Sequence, residues 1–223
     1  MKTKLILTAA TLMLTSATVF SQSKTSQQKT TFGVDGGVNF YSLTGKDQNG
    51  DKLKYKLKTG FNIGVNAEIP IGIDFYVQPG VMFIMKGGAE RYGADAKVNI
   101  GYVQVPVNFL YKPELGTGKL ILGFGPYVAF GVGGSYKPSG GDKADVKFKN
   151  DVTNAEFLSG DVYVKGVDAG ANLLFGYEFA SKFSVQLDAS LGMINMGPKI
   201  DGNDYGEFSS KNTGFGVSVG YRF

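Results

Sequence analysis

The chain contains no cysteine, no histidine and no tryptophan. Without cysteine there is no disulfide framework and no thiolate metal site. Without histidine there is no imidazole base, no histidine-bound metal and no serine–histidine–aspartate triad. Beyond the first 21 residues no stretch approaches the roughly 20 apolar residues that a membrane-crossing helix needs. Any crossing of a bilayer must therefore be made by something other than a helix.

The N-terminus reads as an export signal. Lys2 and Lys4 form a basic start, Leu5 to Phe20 is mainly apolar, and Val19-Phe20-Ser21 offers a cleavage site. Cleavage after Ser21 leaves Gln22 as the expected mature N-terminus. It removes two lysines and no acid, so the formal charge falls from +4 to +2. That small surplus gives no reason to expect nucleic acid as a partner. Residues 22–30 are polar and read as a disordered lead-in.

Glycine is what the chain has in plenty: 33 of 223 residues, about twice ordinary usage. From residue 31 to the end the sequence alternates with a period of two in eight segments, the signature of strands. Phe32, Val34, Val38 and Phe40 share one face of the first, against Gly33, Asp35, Gly37 and Asn39. Phe61 to Ile69, Phe75 to Met85, Val103 to Tyr111, Leu120 to Phe130, Val167 to Phe179, Phe183 to Leu191 and Phe215 to Phe223 repeat the pattern. Segments of about ten residues suffice to cross a bilayer at a tilt.

Alternation alone does not say which face is buried, because a soluble sandwich alternates too. Three features decide. The polar faces are rich in glycine and serine, which weaken a solvated strand but fit a narrow barrel interior. Connections alternate between short (70–74, 112–118, 180–182) and long (42–58, 86–97, 132–164, 194–212), as in barrels with short periplasmic turns and long outer loops. Aromatics gather at strand ends. Phe32, Phe75, Tyr111, Phe179, Phe183 and Phe223 form one girdle, and Phe40, Phe61, Phe83, Phe130 and Phe215 form the other. The expected fold is all-β: an eight-stranded antiparallel up-and-down transmembrane β-barrel over residues 31–223, closed because a bilayer leaves no backbone group unpaired. A secreted soluble β-sandwich or lipocalin-like binder is the competing architecture.

Two stretches carry a family resemblance. Phe215, Val217, Val219, Tyr221 and Phe223 resemble the C-terminal signal of outer-membrane barrels, which implies recognition by the barrel-assembly machinery. Tyr102-Val103-Gln104-Val105-Pro106-Val107, Tyr111-Lys112 and Gly123-Phe124-Gly125-Pro126-Tyr127 are similar to the PorT-like outer-membrane β-barrel family of Bacteroidetes. Phe20-Ser21-Gln22 resembles the export sequences of that phylum. The resemblance covers the mature chain and implies a cell-outer-membrane location, but its motifs describe barrel construction rather than chemistry.

The inward carboxylates Asp35, Glu68, Asp168, Glu178 and Asp188 are the candidate site. Paired carboxylates can act as acid and base. The preferred reading is a lumen network with Arg222, Lys86 and inward tyrosines and asparagines, because buried polar groups must find partners. Lys52, Lys54, Lys56 and Lys58 alternate with Leu53, Tyr55 and Leu57, which stay in phase with Phe61. They read as the second strand running on above the membrane, able to meet lipid phosphate or an anionic ligand. Loop 132–164 reads either as a binding loop or as a mobile shield over the barrel mouth. Together these features predict a non-enzymatic monomer without metal or cofactor. It sits in outer-membrane lipid, has a filled lumen, and contacts an extracellular ligand through long loops. A narrow pore or small-ligand carrier is the functional alternative.

Overall fold

The structure, a computed structural model, describes residues 29–47, 49–53, 55–90, 96–159, 161–204 and 208–223. The export signal, most of the polar lead-in and Lys54 lie outside the described residues. Eight long strands form the wall: β1 (Thr31–Lys46), β2 (Lys58–Gly72), β3 (Phe75–Glu90), β4 (Lys97–Tyr111), β5 (Gly118–Lys137), β6 (Val167–Glu178), β7 (Phe183–Gly192) and β8 (Ser209–Arg222). Each pairs antiparallel with its neighbour in sequence, and β8 returns to β1 from Gly33↔Arg222 to Lys46↔Ser209. The sheet is therefore closed, which removes every edge.

The faces fall as the alternation predicts. Ile63 and Phe124 on the outside are each 61% exposed, whereas Tyr102 and Asp168 on the inside are fully buried. An outward apolar belt of this extent needs lipid to cover it. A soluble sandwich or lipocalin-like fold would carry its apolar face inside, so that alternative is overturned. Rings pair at both ends of the belt, Phe75 with Tyr111 and Phe183 with Tyr221 near the termini, Phe40 with Phe215 and Phe61 with Phe83 near the other end. Inward glycines let the wall close tightly. A Cβ on Gly37 would collide with the Val217 carbonyl and lie 2.6 Å from Ser218 Cα.

The end that carries the termini has short turns. Asp74 and Lys182 hold φ of 62° and 67° there, left-handed positions that tighten a hairpin. At the opposite end the strands outrun the sequence reading. β1 continues to Lys46, β3 to Glu90, β5 to Lys137, and β8 begins at Ser209, so the long connections are shorter than the alternation suggests. Nor is loop 132–164 a plain shield. Ala144–Phe148 pairs with β5 through Ser135 and Tyr136, and runs parallel to Val162–Val164. Asp151–Val152 pairs with Lys199–Ile200 from the next loop. A short helix, α1 (Asn154–Leu158), starts at a Thr153/Glu156 capping box. The two loops thus build one folded cap.

Candidate functional site

The lumen is organised in three layers along its axis. Nearest the termini, four charged side chains brace one another. Lys112 Nζ donates to Glu68 Oε2 at 2.8 Å and to Glu178 Oε2 at 2.7 Å. Arg222 donates through Nη2 to Glu68 Oε1 at 2.7 Å and through Nη1 to Asn66 Oδ1 at 2.6 Å. Asn66 in turn donates to Asp35 at 2.7 Å. Two cations face two carboxylates here, and the layer is neutral.

Towards the cap, Lys86 Nζ donates to Asp168 Oδ2 at 3.0 Å, with both side chains fully buried. Tyr127 Oη and Asn212 Nδ2 donate to the same oxygen at 3.3 and 3.1 Å. The Lys86 ammonium sits 4.0 Å from the Tyr127 ring centre and 5.5 Å from those of Tyr41 and Tyr102. Three electron-rich faces thus stand in for the water that burial removed. Met196, 3% exposed, closes this layer from the cap, with Tyr102 Oη directed at its sulfur.

Between these layers lies a cavity of about 70 Å³ whose lining includes Asp35, Asn62, Gln78, Gln104, Asn108 and Asp188. The ion-paired layers stand above and below this space, and the cap covers the far end.

All six sequence-predicted lumen residues therefore point inward, but they do not form one network. Glu68, Glu178 and Arg222 join one layer, Asp168 joins another, and Asp35 and Asp188 face the middle. The cation that holds the first layer together, Lys112, was not foreseen. It lies in the connection 112–118, one residue beyond β4, yet continues the inward phase of Tyr102, Gln104, Asn108 and Leu110, and is 2% exposed. Fully buried Tyr41 was missed in the same way, though it is in phase with Asp35 and Asn39.

The lysine run is corrected. It is not one continuous strand in phase with Phe61. Lys52 bridges Lys46, Tyr55–Lys56 pairs with Ala89–Glu90, and Lys58 opens β2 opposite Tyr41. The Tyr55 ring lies over the inward face, beside Leu43 at Gly88. Gly45 in β1 and Gly87 in β3 adopt φ of 151° and 145° at this height, values that only glycine holds readily, while both strands keep their pairing through them. The terminal residues Phe215, Val217, Val219, Tyr221 and Phe223 all take the outward face, and the Phe223 N–H donates to Phe32 O at 2.9 Å, tying the last residue to β1.

The cap carries its own ion pairs at the surface. Lys149 and the Thr153 backbone hold Glu156 below the ordinary carboxylate range, and Lys147 does the same for Asp161. Asp161 in return raises Lys147. Among the described residues no group of three or more potential metal-binding acids occurs.

The chain has counterparts among known proteins. A protein-family model described as "outer membrane protein beta-barrel domain" matches residues 20–197. Among solved structures, the chain is similar to Ail, the attachment invasion locus protein of Yersinia pestis, at 15% identity and a TM-score of 0.42. It is similar to Neisserial surface protein A at 12% and 0.46, and to a major outer membrane protein from Thermus thermophilus at 15% and 0.43. Each alignment covers 88% of this chain and 100% of the other. No curated protein matches the chain.

Proposed function

The chain belongs to the outer membrane protein beta-barrel domain family, and from that premise we propose a monomeric structural and surface-contact protein, not a channel and not an enzyme. The observation that carries this reading is the lumen. Two buried ion-paired layers stand between its ends, and a folded cap covers one mouth. Solute passage would require at least one fully desolvated pair to part, and such pairs separate only at high cost. The termini face the periplasm and the cap faces outward, the orientation that short and long connections favour. The signal is cut after Ser21. Phe215 to Phe223 serves as the assembly signal, with PorT-like Bacteroidetes barrels as kin in sequence pattern. Outer-membrane lipid covers the apolar belt.

The cap is the contact element. Its helix α1 stands at the surface with Leu158 79% exposed, a large apolar group that lipid does not reach at this end. An extracellular ligand would meet α1 and the surface lysines Lys52 and Lys56 first. The test has two parts. Mild SDS gels of the membrane fraction, boiled and unboiled, should show a mobility shift, since a closed barrel resists cold detergent. Purified barrel in a planar bilayer should show no steady conductance. Stable ion conductance would overturn the surface-contact reading and favour the narrow pore.

A further inference from the structure

The middle layer of the lumen has a charge balance unlike the layers on either side. Asp35 and Asp188 are the only ionisable residues among those lining the cavity. Neither forms an ion pair among the described residues. The Arg222 side chain, which reaches Asp35 only through Asn66, is committed to Glu68 and Asn66. Asp188 has no hydrogen bond among the described residues. Its carboxylate occupies the space that Gly216 leaves, for a Cβ there would lie 3.0 Å from both oxygens. The two acids line the same cavity. Two carboxylates enclosed together without a counter-charge are costly inside any protein.

A second observation is independent of these acids. Gln104 and Asn108, 2% and 5% exposed, both line the cavity, and each has a side-chain oxygen with no partner. Their nitrogens are already committed. Gln104 Nε2 points at Met82 sulfur at 3.7 Å, and Asn108 Nδ2 donates to Gln78 at 3.2 Å. The cavity is thus surrounded by an excess of oxygen acceptors. What fills it must bring positive charge or donors, and about 70 Å³ holds an ion with several waters, at roughly 10–15 Å³ per water.

We propose that this cavity binds a hard divalent cation of the calcium class, held by Asp35, Asp188 and the side-chain oxygens of Gln104 and Asn108. Calcium accepts six to eight oxygen ligands in irregular geometry, whereas magnesium demands a near-ideal octahedron. A ring of two carboxylates, amide oxygens and water from several strands suits the former. Imidazole and thiolate are absent from the chain, and one thioether, Met82, among many oxygens gives softer metals little to prefer. The two charges of the ion offset the two carboxylates and leave all three lumen layers neutral. With only two charged ligands, the affinity falls in the weak range of roughly 10⁻⁴ to 10⁻³ M.

The test uses the full mature barrel refolded in detergent micelles after chelator treatment, because the ion-paired layers restrict access once it has closed. Calcium alone is the probe. Equilibrium dialysis with radioactive calcium should find one ion per barrel, and calcium should raise the urea midpoint read by cold-SDS mobility. Asp188→Asn and Asp35→Asn should each weaken binding on the order of tenfold or more while keeping the mobility shift. Asp188→Asn should also be more stable than the parent in chelator, since it removes an uncompensated charge. Gln104→Leu, which keeps both acids, should weaken binding less. Three results would overturn the proposal. One is no retained calcium and no stabilisation. Another is unchanged retention in both Asn variants, which would place the ion on the loop carboxylates. The third is stabilisation of the parent by acid alone, lost in Asp188→Asn, which would mean that the carboxylates take up protons instead.

Discussion

The two ionic layers of the lumen answer the same problem in different ways. Near the termini, Glu68 accepts from both Lys112 and Arg222, and Lys112 reaches both Glu68 and Glu178. Loss of one member leaves the others partly paired. Near the cap there is one pair, Lys86 and Asp168, inside a cage of tyrosines and asparagines. That layer also holds buried polar atoms without partners: Tyr41 Oη, Asp168 Oδ1, Asn212 Oδ1 and both side-chain atoms of Asn39. A braced cluster spreads risk, whereas a single caged pair concentrates it.

The sharpest break is therefore Lys86→Met. It leaves Asp168 fully buried with no cation, and should cost about 3–5 kcal/mol. Because the chain has no tryptophan, the loss is best read by urea titration with circular dichroism or cold-SDS mobility. Lys86→Met with Asp168→Leu should recover most of it, since a buried pair replaced by apolar groups is often neutral. If the single variant is as stable as the parent, the contrast between the layers is wrong.

Lys112→Met should cost less, about 1–3 kcal/mol. Glu68 keeps Arg222, and the Glu178 side chain retains 17% of its exposure. A loss equal to that of Lys86→Met would show that redundancy confers nothing. Its reciprocal, Arg222→Met, should behave alike, because Glu68 then keeps Lys112.

The braced layer was half legible in the sequence and the caged one more so, for a physical reason. A period of two places every second residue on the lumen side wherever the strand runs straight, so Asp35, Glu68, Asp168, Glu178, Asp188 and Arg222 could be placed inside from phase alone. Lys112 keeps the same phase one residue beyond the end of β4, where the pattern reads as a turn. Which inward groups meet is set by the shear of the closed sheet, and no local pattern carries that. The cap was least legible. Asp151–Val152 and Lys199–Ile200 pair in parallel from different loops, a contact whose partners share no periodicity. Likewise, the alternation of Lys52 to Lys58 is real, but the segment pairs first with Lys46 and then with Ala89–Glu90 before β2 begins, a division that no local pattern carries.

A smaller effect separates the turn end from the cap end. Lys182 holds φ of 67° in the four-residue turn between β6 and β7, where its N–H donates to Phe179 O at 2.9 Å. A side chain in the left-handed region costs about 1–2 kcal/mol, partly offset by the greater freedom that glycine loses on folding. Lys182→Gly should thus stabilise the barrel by about 0.5–1 kcal/mol in the same urea titration. Destabilisation would mean that the Lys182 side chain makes a contact worth more than the backbone relief.

The mildest perturbation is pH, and it distinguishes the cap from the barrel beneath it. Glu156 and Asp161 are held below the ordinary carboxylate range by Lys149 and Lys147. Their contribution to cap order is therefore present above about pH 4 and is lost as pH falls through the lowered values. Lys147 is raised by Asp161, so its share is present below the ordinary lysine value and lost only as pH rises through the raised one. Between those limits the cap keeps both pairs. These pairs are exposed and screened by salt, so the effect is local. Acidification should speed protease cleavage within 138–166 while cold-SDS mobility stays that of the folded barrel, and 1 M salt should mimic part of the change. If cleavage and mobility instead change together, the cap and barrel form one cooperative unit and the loops are no separable contact element. If neither changes, the order of the cap rests on the strand pairing around Val146 and Val152, both nearly fully buried, and the surface ion pairs add nothing to it.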